Sequence, residues 1–304
     1  MALEIAHGSY TGDGNDNRSI TGLGFLPKVV FISADSSSVG ASGIMSFDSM
    51  PSDSSTFVGD NTSLLSNYIQ AFESDGFEIG SNARVNNSGT TFYYFALGGS
   101  DVDTGSYTGN GSDDRAITGI GFQPEFVMLK GANNDVADFK MTADGAAVDT
   151  TQLFGASSNG TNRIQSLDSD GFTVGTDAEV NTNTTLYYYA AVNAITGQTK
   201  SVSYTGDGVD DRDITGVGFS PEVLIINKNG TSNAGFRTPS HSSGESSPFQ
   251  QTTVQTNDIQ GFGVDGFTIG TNARVNTNSS TYYYIAMTSV VPTVSSFVPT
   301  MQII

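Results

Sequence analysis

The feature that most constrains this chain is an internal repeat. One pattern begins with Tyr-Thr-Gly and ends in Gly-Phe-x-Pro and a short apolar run. It occurs three times, and its tyrosines Tyr10, Tyr107 and Tyr204 lie 97 residues apart. A second pattern, Asp-Gly-Phe followed by an aromatic strand, closes each copy, and its glycines Gly76 and Gly171 lie 95 residues apart. A copy of this length can enclose its own core, unlike a solenoid element.

The two patterns set the predicted domain boundaries. The first unit covers residues 1–100, the second 101–197 and the third 198–289. Residues 290–304 lie outside the repeats, are apolar and contain two prolines. Each unit is expected to fold on its own.

The periodicities within a unit are those of strands. The run Val29-Val30-Phe31-Ile32 fits a strand that is buried on both sides. Phe77 and Ile79 alternate with polar residues after an Asp-Gly turn, as in a half-buried strand. The best helical window, 64–72, is matched only weakly in the other copies and is interpreted as a strand or one turn. The predicted fold is all-β, with three tandem antiparallel β-sandwich domains of six or seven strands each.

Between the two patterns the copies diverge. The stretches 34–71, 131–166 and 229–261 share little beyond a polar, glycine-rich composition. Loops that differ on a fixed scaffold are common places for binding sites, so they predict three unlike surfaces. Sequence drift without selection gives the same pattern.

Charge and composition exclude several classes of protein. Twelve Lys and Arg against 31 Asp and Glu give a net charge of −19. This charge disfavours binding to nucleic acid and to anionic membranes, because both need a basic face. No apolar run is long enough to span a membrane, and residues 1–7 do not resemble a Sec-type signal peptide. With no Cys, the chain has no disulfide and no thiolate site.

The turn after each Tyr-Thr-Gly holds the candidate site residues. Asp13, Asn15 and Asn17 alternate as in a calcium loop, but the later Gly and Glu of such a loop are missing, so no metal is predicted. An Asp-x-Arg pair recurs in every copy, and we expect a structural ion pair within each turn. The pairs are Asp16 with Arg18, Asp113 with Arg115, and Asp210 with Arg212.

No catalytic set is evident. The paired glycines Gly22 and Gly24 precede a strand and not a helix, which argues against a nucleotide loop. His7 and His241 are isolated in sequence, and His241 is expected to be solvated in a Ser-rich stretch. With 31 acidic residues, chance carboxylate pairs are common. The aromatic strand at 92–95 is interpreted as core. We therefore expect a non-enzymatic protein without a cofactor.

The order Tyr-Thr-Gly-x-Gly-x-Asp-x-Arg, Ile-Thr-Gly-x-Gly-Phe-x-Pro and Asp-Gly-Phe resembles a repeat of tailed-bacteriophage structural proteins. The chain is also similar, more weakly, to the H-type lectin domain, a six-stranded sandwich that forms trimers and binds sugars at subunit edges. It lacks that family's Trp. The trimer analogy implies that three linked copies form a pseudo-threefold body.

These resemblances imply a virion surface protein assembled in the host cytoplasm, either a capsid decoration or head-fibre protein or a tail-fibre component. The absence of a long helical or collagen-like shaft favours the capsid. The alternative is a glycan-binding adhesin or receptor-binding module that uses the variable loops. Other virion proteins are the expected partners. Residues 290–304, which contain no charged side chain, are the expected docking arm for a partner subunit or the particle. The alternative is that they form a last strand on the third unit.

Overall fold

A computed structural model describes residues 3–39, 42–145, 148–155, 158–230, 234–250 and 253–289. The predicted arm at 290–304 lies outside the described residues.

The first unit has eight strands in two antiparallel sheets. Their bounds are β1 Leu3–Thr11, β2 Arg18–Thr21, β3 Pro27–Ala34, β4 Ile44–Phe47, β5 Thr56–Phe57, β6 Ile69–Glu73, β7 Gly76–Ile79 and β8 Thr91–Gly99. The large sheet has the order β1-β8-β3-β4-β5, and the small sheet has the order β2-β7-β6.

The second unit repeats this plan. Its strands are β9 Val102–Thr108, β10 Arg115–Thr118, β11 Pro124–Gly131, β12 Asp138–Met141, β13 Gln152–Leu153, β14 Ile164–Asp168, β15 Gly171–Val174 and β16 Leu186–Asn193. The sheets have the orders β13-β12-β11-β16-β9 and β10-β15-β14.

The third unit has one more described strand in its large sheet. Its strands are β17 Thr199–Thr205, β18 Arg212–Thr215, β19 Val223–Lys228, β20 Gly235–Arg237, β21 Glu245–Pro248, β22 Gln255–Thr256, β23 Ile259–Gly263, β24 Gly266–Ile269 and β25 Thr281–Met287. The sheets have the orders β17-β25-β19-β20-β21-β22 and β18-β24-β23.

Helices are short in the described chain. One-turn α-helices precede the closing strands, α1 Ala83–Asn86, α2 Ala178–Asn181 and α3 Ala273–Asn276, and 3-10 turns cover Ser37–Val39 and Thr142–Asp144. The side chains of Asn82, Asp177 and Asn272 cap the α-helices by accepting a backbone N–H.

Each unit is a sandwich with its own outer core between the large and the small sheet. In the first unit Val30 and Ile32 of β3 pack with Phe77 and Ile79 of β7. Two further clusters are built largely from the equivalent positions of the other units. The all-β sandwich prediction is confirmed. The described units have eight or nine strands instead of six or seven, because the divergent middle stretches add short strands to the large sheets.

The opposite faces of the three large sheets meet in one shared central core. Val29 and Phe31 of β3 point into it, as do Phe126 of β11 and Ile225 of β19. The apolar run at 29–32 is thus buried on both sides, as its lack of alternation indicates. The three units are therefore joined by a common apolar centre and are not merely strung along the chain.

The middle of this core is built from the divergent stretches. Phe249 of the third unit packs edge-on against Phe31 of the first, at 4.7 Å between ring centroids, and against Phe154 of the second, at 4.8 Å. Val58, Phe154 and Phe249 occupy equivalent places in their units. Their backbone N–H groups donate to equivalent carbonyls, which are those of Gly43, Ala137 and Ala234, respectively. The stretches that differ most in sequence thus converge on one place.

Candidate functional site

The recurring arginines are the first residues of β2, β10 and β18, directly after the turns. The predicted ion pairs with Asp16, Asp113 and Asp210 are wrong. Arg18 pairs with Asp13 (Nε to Oδ2, 3.6 Å) and Arg212 pairs with Asp207 (3.3 Å). The second unit has Asn110 at that position, and there the guanidinium of Arg115 donates to the Thr108 carbonyl and lies 4.9 Å from the Tyr107 ring centroid. The backbone N–H of Asn15 donates to Asp13 and is the main reason why the pKa of this carboxyl is lowered.

The second acid of each turn has a different partner. The carboxylates of Asp16, Asp113 and Asp210 each accept a hydrogen bond from a glutamine Nε2 of the small sheet, at 3.0 to 3.1 Å. The glutamines are Gln70, Gln165 and Gln260. The acidic residue two positions before each arginine therefore ties the turn to the neighbouring sheet edge.

A buried asparagine organises each turn. Asn86 donates from Nδ2 to the carbonyl of Asn15 (2.7 Å) and accepts the N–H of Asp13 (2.9 Å). Asn181 and Asn276 make the same two contacts in their units. In the part of the chain that the structure describes, no group of three or more His, Asp and Glu is placed to hold a metal ion.

The paired glycines form a cradle for a carboxylate. The N–H groups of Gly22 and Gly24 donate to the two carboxylate oxygens of Asp75, which belongs to the Asp-Gly-Phe pattern. Asp170 and Asp265 are held in the same way. Both glycines have φ near +90°, a region that side-chain-bearing residues avoid. The joint recurrence of the two patterns was a sequence signal for this contact.

The units meet at three seams, which place equivalent positions in similar contacts. One position, repeated every 97 residues, contacts a turn of a neighbouring unit at each seam. Its three residues are His7, Thr104 and Ser201. Thr104 donates to Asp48 at the first seam, between units 1 and 2. Ser201 bonds Thr142 (2.6 Å) at the second seam, between units 2 and 3.

At the closing seam, between units 3 and 1, His7 Nδ1 bonds Ser240 Oγ at 2.8 Å. The three head-to-tail contacts therefore close into a ring.

Further hydrogen bonds across the three seams reinforce the same ring. The ammonium of Lys130 donates to the Thr62 carbonyl at the first seam (2.7 Å), and Asn227 at the equivalent position donates to Gln152 at the second (2.6 Å). At the closing seam the N–H of Gly43 donates to the carbonyl of Phe249 (2.9 Å). Each unit is thus bonded to both of the others.

The expectation that His241 is solvated is wrong. It is 4% exposed, and its ring stacks on Tyr93 of the first unit at 4.2 Å. Its Nε2 lies 2.9 Å from Ser247 Oγ. Burial, together with the charge of the neighbouring Arg237, lowers the pKa of His241 to about 3. The structure thus places both histidines of the chain at the closing seam.

Among the described residues, grooves lie at the closing seam and at the second seam. The groove at the closing seam has a volume of 410 Å³ and is lined by His7 and by third-unit residues that include Glu222 and Val264. The groove at the second seam has a volume of 640 Å³ and is lined by Glu125, the counterpart of Glu222, and by the inter-unit linker at 194–197. Burial lowers the pKa of His7, and the nearby Glu222 opposes this effect.

The aromatic strand predicted to be core is buried. Phe92, Tyr93, Tyr94 and Phe95 are each less than a tenth exposed. Phe92 and Tyr94 belong to the outer core and Phe95 to the central core.

Comparison with known proteins adds one finding. The model of a family described as "Domain of unknown function (DUF7483)" matches residues 98–198, which is the second unit and a few flanking residues. No curated protein matches the chain. Among the described residues, no helix is long and apolar enough to cross a membrane. The match to this family thus spans a single repeat.

Proposed function

We propose that the chain is a non-enzymatic surface structural protein of a tailed-phage virion, a capsid decoration or head-fibre protein in preference to a tail-fibre component. Its site of action is then the outside of the particle, and its partners are other virion proteins. The resemblance of the repeat to phage structural proteins supports this function.

The observation that carries the proposal is the closed ring of three units around one apolar core. Heterologous interfaces that close give a finite body instead of a filament. A finite body of three similar units around one axis would fit a threefold or quasi-threefold position of an icosahedral shell. Its net charge of −19 keeps it soluble and directs it to a partner surface that is not acidic.

The rival function, glycan binding through the variable loops, is not favoured. Phe139, Phe154, Phe236 and Phe249 of those stretches are fully buried in the central core. A loop that supplies core side chains is less free to present a ligand surface.

Purified particles of the phage that encodes the chain test the proposal. Particles banded by density are probed with an antibody against the chain, and immunogold labelling locates the signal. We expect labelled heads, and a particle from which the gene is deleted should recover the label when purified protein is added. Absence of the chain from banded particles, together with binding of the protein on a glycan array, would favour the adhesin.

A further inference from the structure

The groove at the closing seam is lined by both apolar and polar residues and has an exposed valine at its rim. Phe219, Pro221 and Pro239 line it together with His7 and Glu222. Val264, which also lines it, is 91% exposed, more than any other large apolar side chain described. An apolar surface of this kind on an acidic, soluble protein is favourable to cover.

The described chain ends at this groove. Thr288 is one of the lining residues. The backbone N–H of Ser289 donates to the Glu222 carboxylate, and its hydroxyl donates to the same oxygen at 2.6 Å. The last described residue is therefore anchored at the rim of the groove.

The second seam has a chain segment in the equivalent place. After β16, residues 194–197 line the groove beside Glu125, and Ile195 packs against the central core. At the closing seam no linker joins the two units, because the first unit precedes the third in sequence. At the closing seam, the place equivalent to that of the linker is the part of the groove next to Glu222 of the third unit.

Residues 290–304 have the chemistry to cover such a surface. They include eight apolar side chains and no charged one, and Pro292 and Pro299 favour an extended course. We infer that this segment docks in the groove of its own chain at the closing seam, where it takes the place of the linker at the second seam. Covalent attachment at Ser289 keeps its effective concentration high. The sequence alone predicted docking of this segment on a partner. The inference instead assigns the segment to a groove of its own chain.

A single tryptophan tests this docking in the full chain. The protein has no Trp, so Phe297→Trp gives the only indole signal. We expect a blue-shifted emission and weak acrylamide quenching, both independent of protein concentration. Val264→Asp in the groove should shift the emission to the red and increase the quenching constant severalfold.

Val209→Asp is the matched control. It places the same charge on an exposed valine of the same unit that does not line the groove, and it should leave the emission unchanged. A solvent-exposed indole in the unmodified groove, or an emission that Val264→Asp does not alter, would overturn the inference. Protection that appears only at concentrations where the chain self-associates would assign the groove to a second copy and would also overturn it.

Discussion

The outer cores and the central core share strands of the recurring patterns, but they differ in how much they take from the divergent stretches. Each outer core uses the recurring patterns, so Phe77, Phe172 and Phe267 occupy matching places in three matching environments. The central core draws on the divergent stretches, and its equivalent positions hold Val58, Phe154 and Phe249.

The difference arises from where each core lies. An outer core is enclosed within one unit, so the same side chains suit all three copies. Side chains of the central core converge on one place, where three large identical residues would compete for the same space. A single chain is free to use unlike residues there, whereas a true homotrimer is not. Divergence of the middle stretches therefore reflects packing as well as drift.

The largest expected effect comes from removing the central core altogether. Residues 98–198 alone leave Phe126, Met128 and Phe139 without their neighbours from other units. The shared central core argues against the expectation from the sequence that each unit folds on its own. We expect this fragment to lack a cooperative melt as a monomer and, where it associates, to melt at temperatures that rise with concentration. The full chain should show no such dependence. A sharp melt from a fragment that sediments as a monomer would show that an outer core suffices.

Single substitutions in the two cores sharpen the comparison. Phe249→Ala should cost about 3–5 kcal/mol of unfolding free energy, because it leaves a cavity among rings from three units. Phe77→Ala, Phe172→Ala and Phe267→Ala should cost similar amounts to one another. Val58→Ala should cost less than Phe154→Ala or Phe249→Ala. Denaturant titration measures all six, and equal costs across the central set would contradict the asymmetry.

The next effect is the pH dependence of the closing seam. Folded His241 has a pKa of about 3, against 6.5 when unfolded, so the unfolded state binds more protons between these values. Stability from this group is complete above pH 6.5 and falls as the pH decreases toward 3. Asp258, whose pKa burial raises to about 6, acts in the opposite sense. His241→Gln should therefore lose less stability than the wild type between pH 7 and 4 in thermal melts. Identical slopes would contradict this assignment.

The smallest expected effect is in the repeated turns. Arg115→Ala should cost less than about 1 kcal/mol, since the guanidinium is partly exposed and contacts a carbonyl, an amide oxygen and the Tyr107 ring. A double-mutant cycle with Asp113→Asn should give a coupling energy near zero, because Asp113 bonds Gln165. The matching cycle of Arg212→Ala with Asp207→Asn should give a measurable coupling. A large coupling between Arg115 and Asp113 would instead support an ion pair between these two residues.

Local patterns predicted the strands well. The run at 29–32 is buried on both sides because a strand alternates its side chains, so an uninterrupted apolar run needs two cores. The residues of the divergent stretches that complete the second core were not predictable. Phe249 lies in a polar, Ser-rich stretch without periodicity, and its partners come from other units.

Side-chain pairing within the turns was less predictable. Asp16 is close to Arg18 in sequence, yet the turn directs its carboxylate to Gln70. The burial of His241 depends on Tyr93, which belongs to a different unit, so the polar residues around it in sequence were misleading. The contact of Asp75 with the paired glycines was predictable, since the glycine pair and the Asp-Gly-Phe pattern recur together in every copy.

The three seams join with different chemistry: threonine to aspartate, serine to threonine, and histidine to serine. Neighbouring chains emerging from one polysome present many nearly identical repeats to one another, and repeat proteins in that situation tend to exchange units. A unit that docked out of order would lose its native pairs at both of its junctions, which disfavours misordered rings. We therefore expect the variation at the junctions to favour the ring in which each polypeptide is folded upon itself.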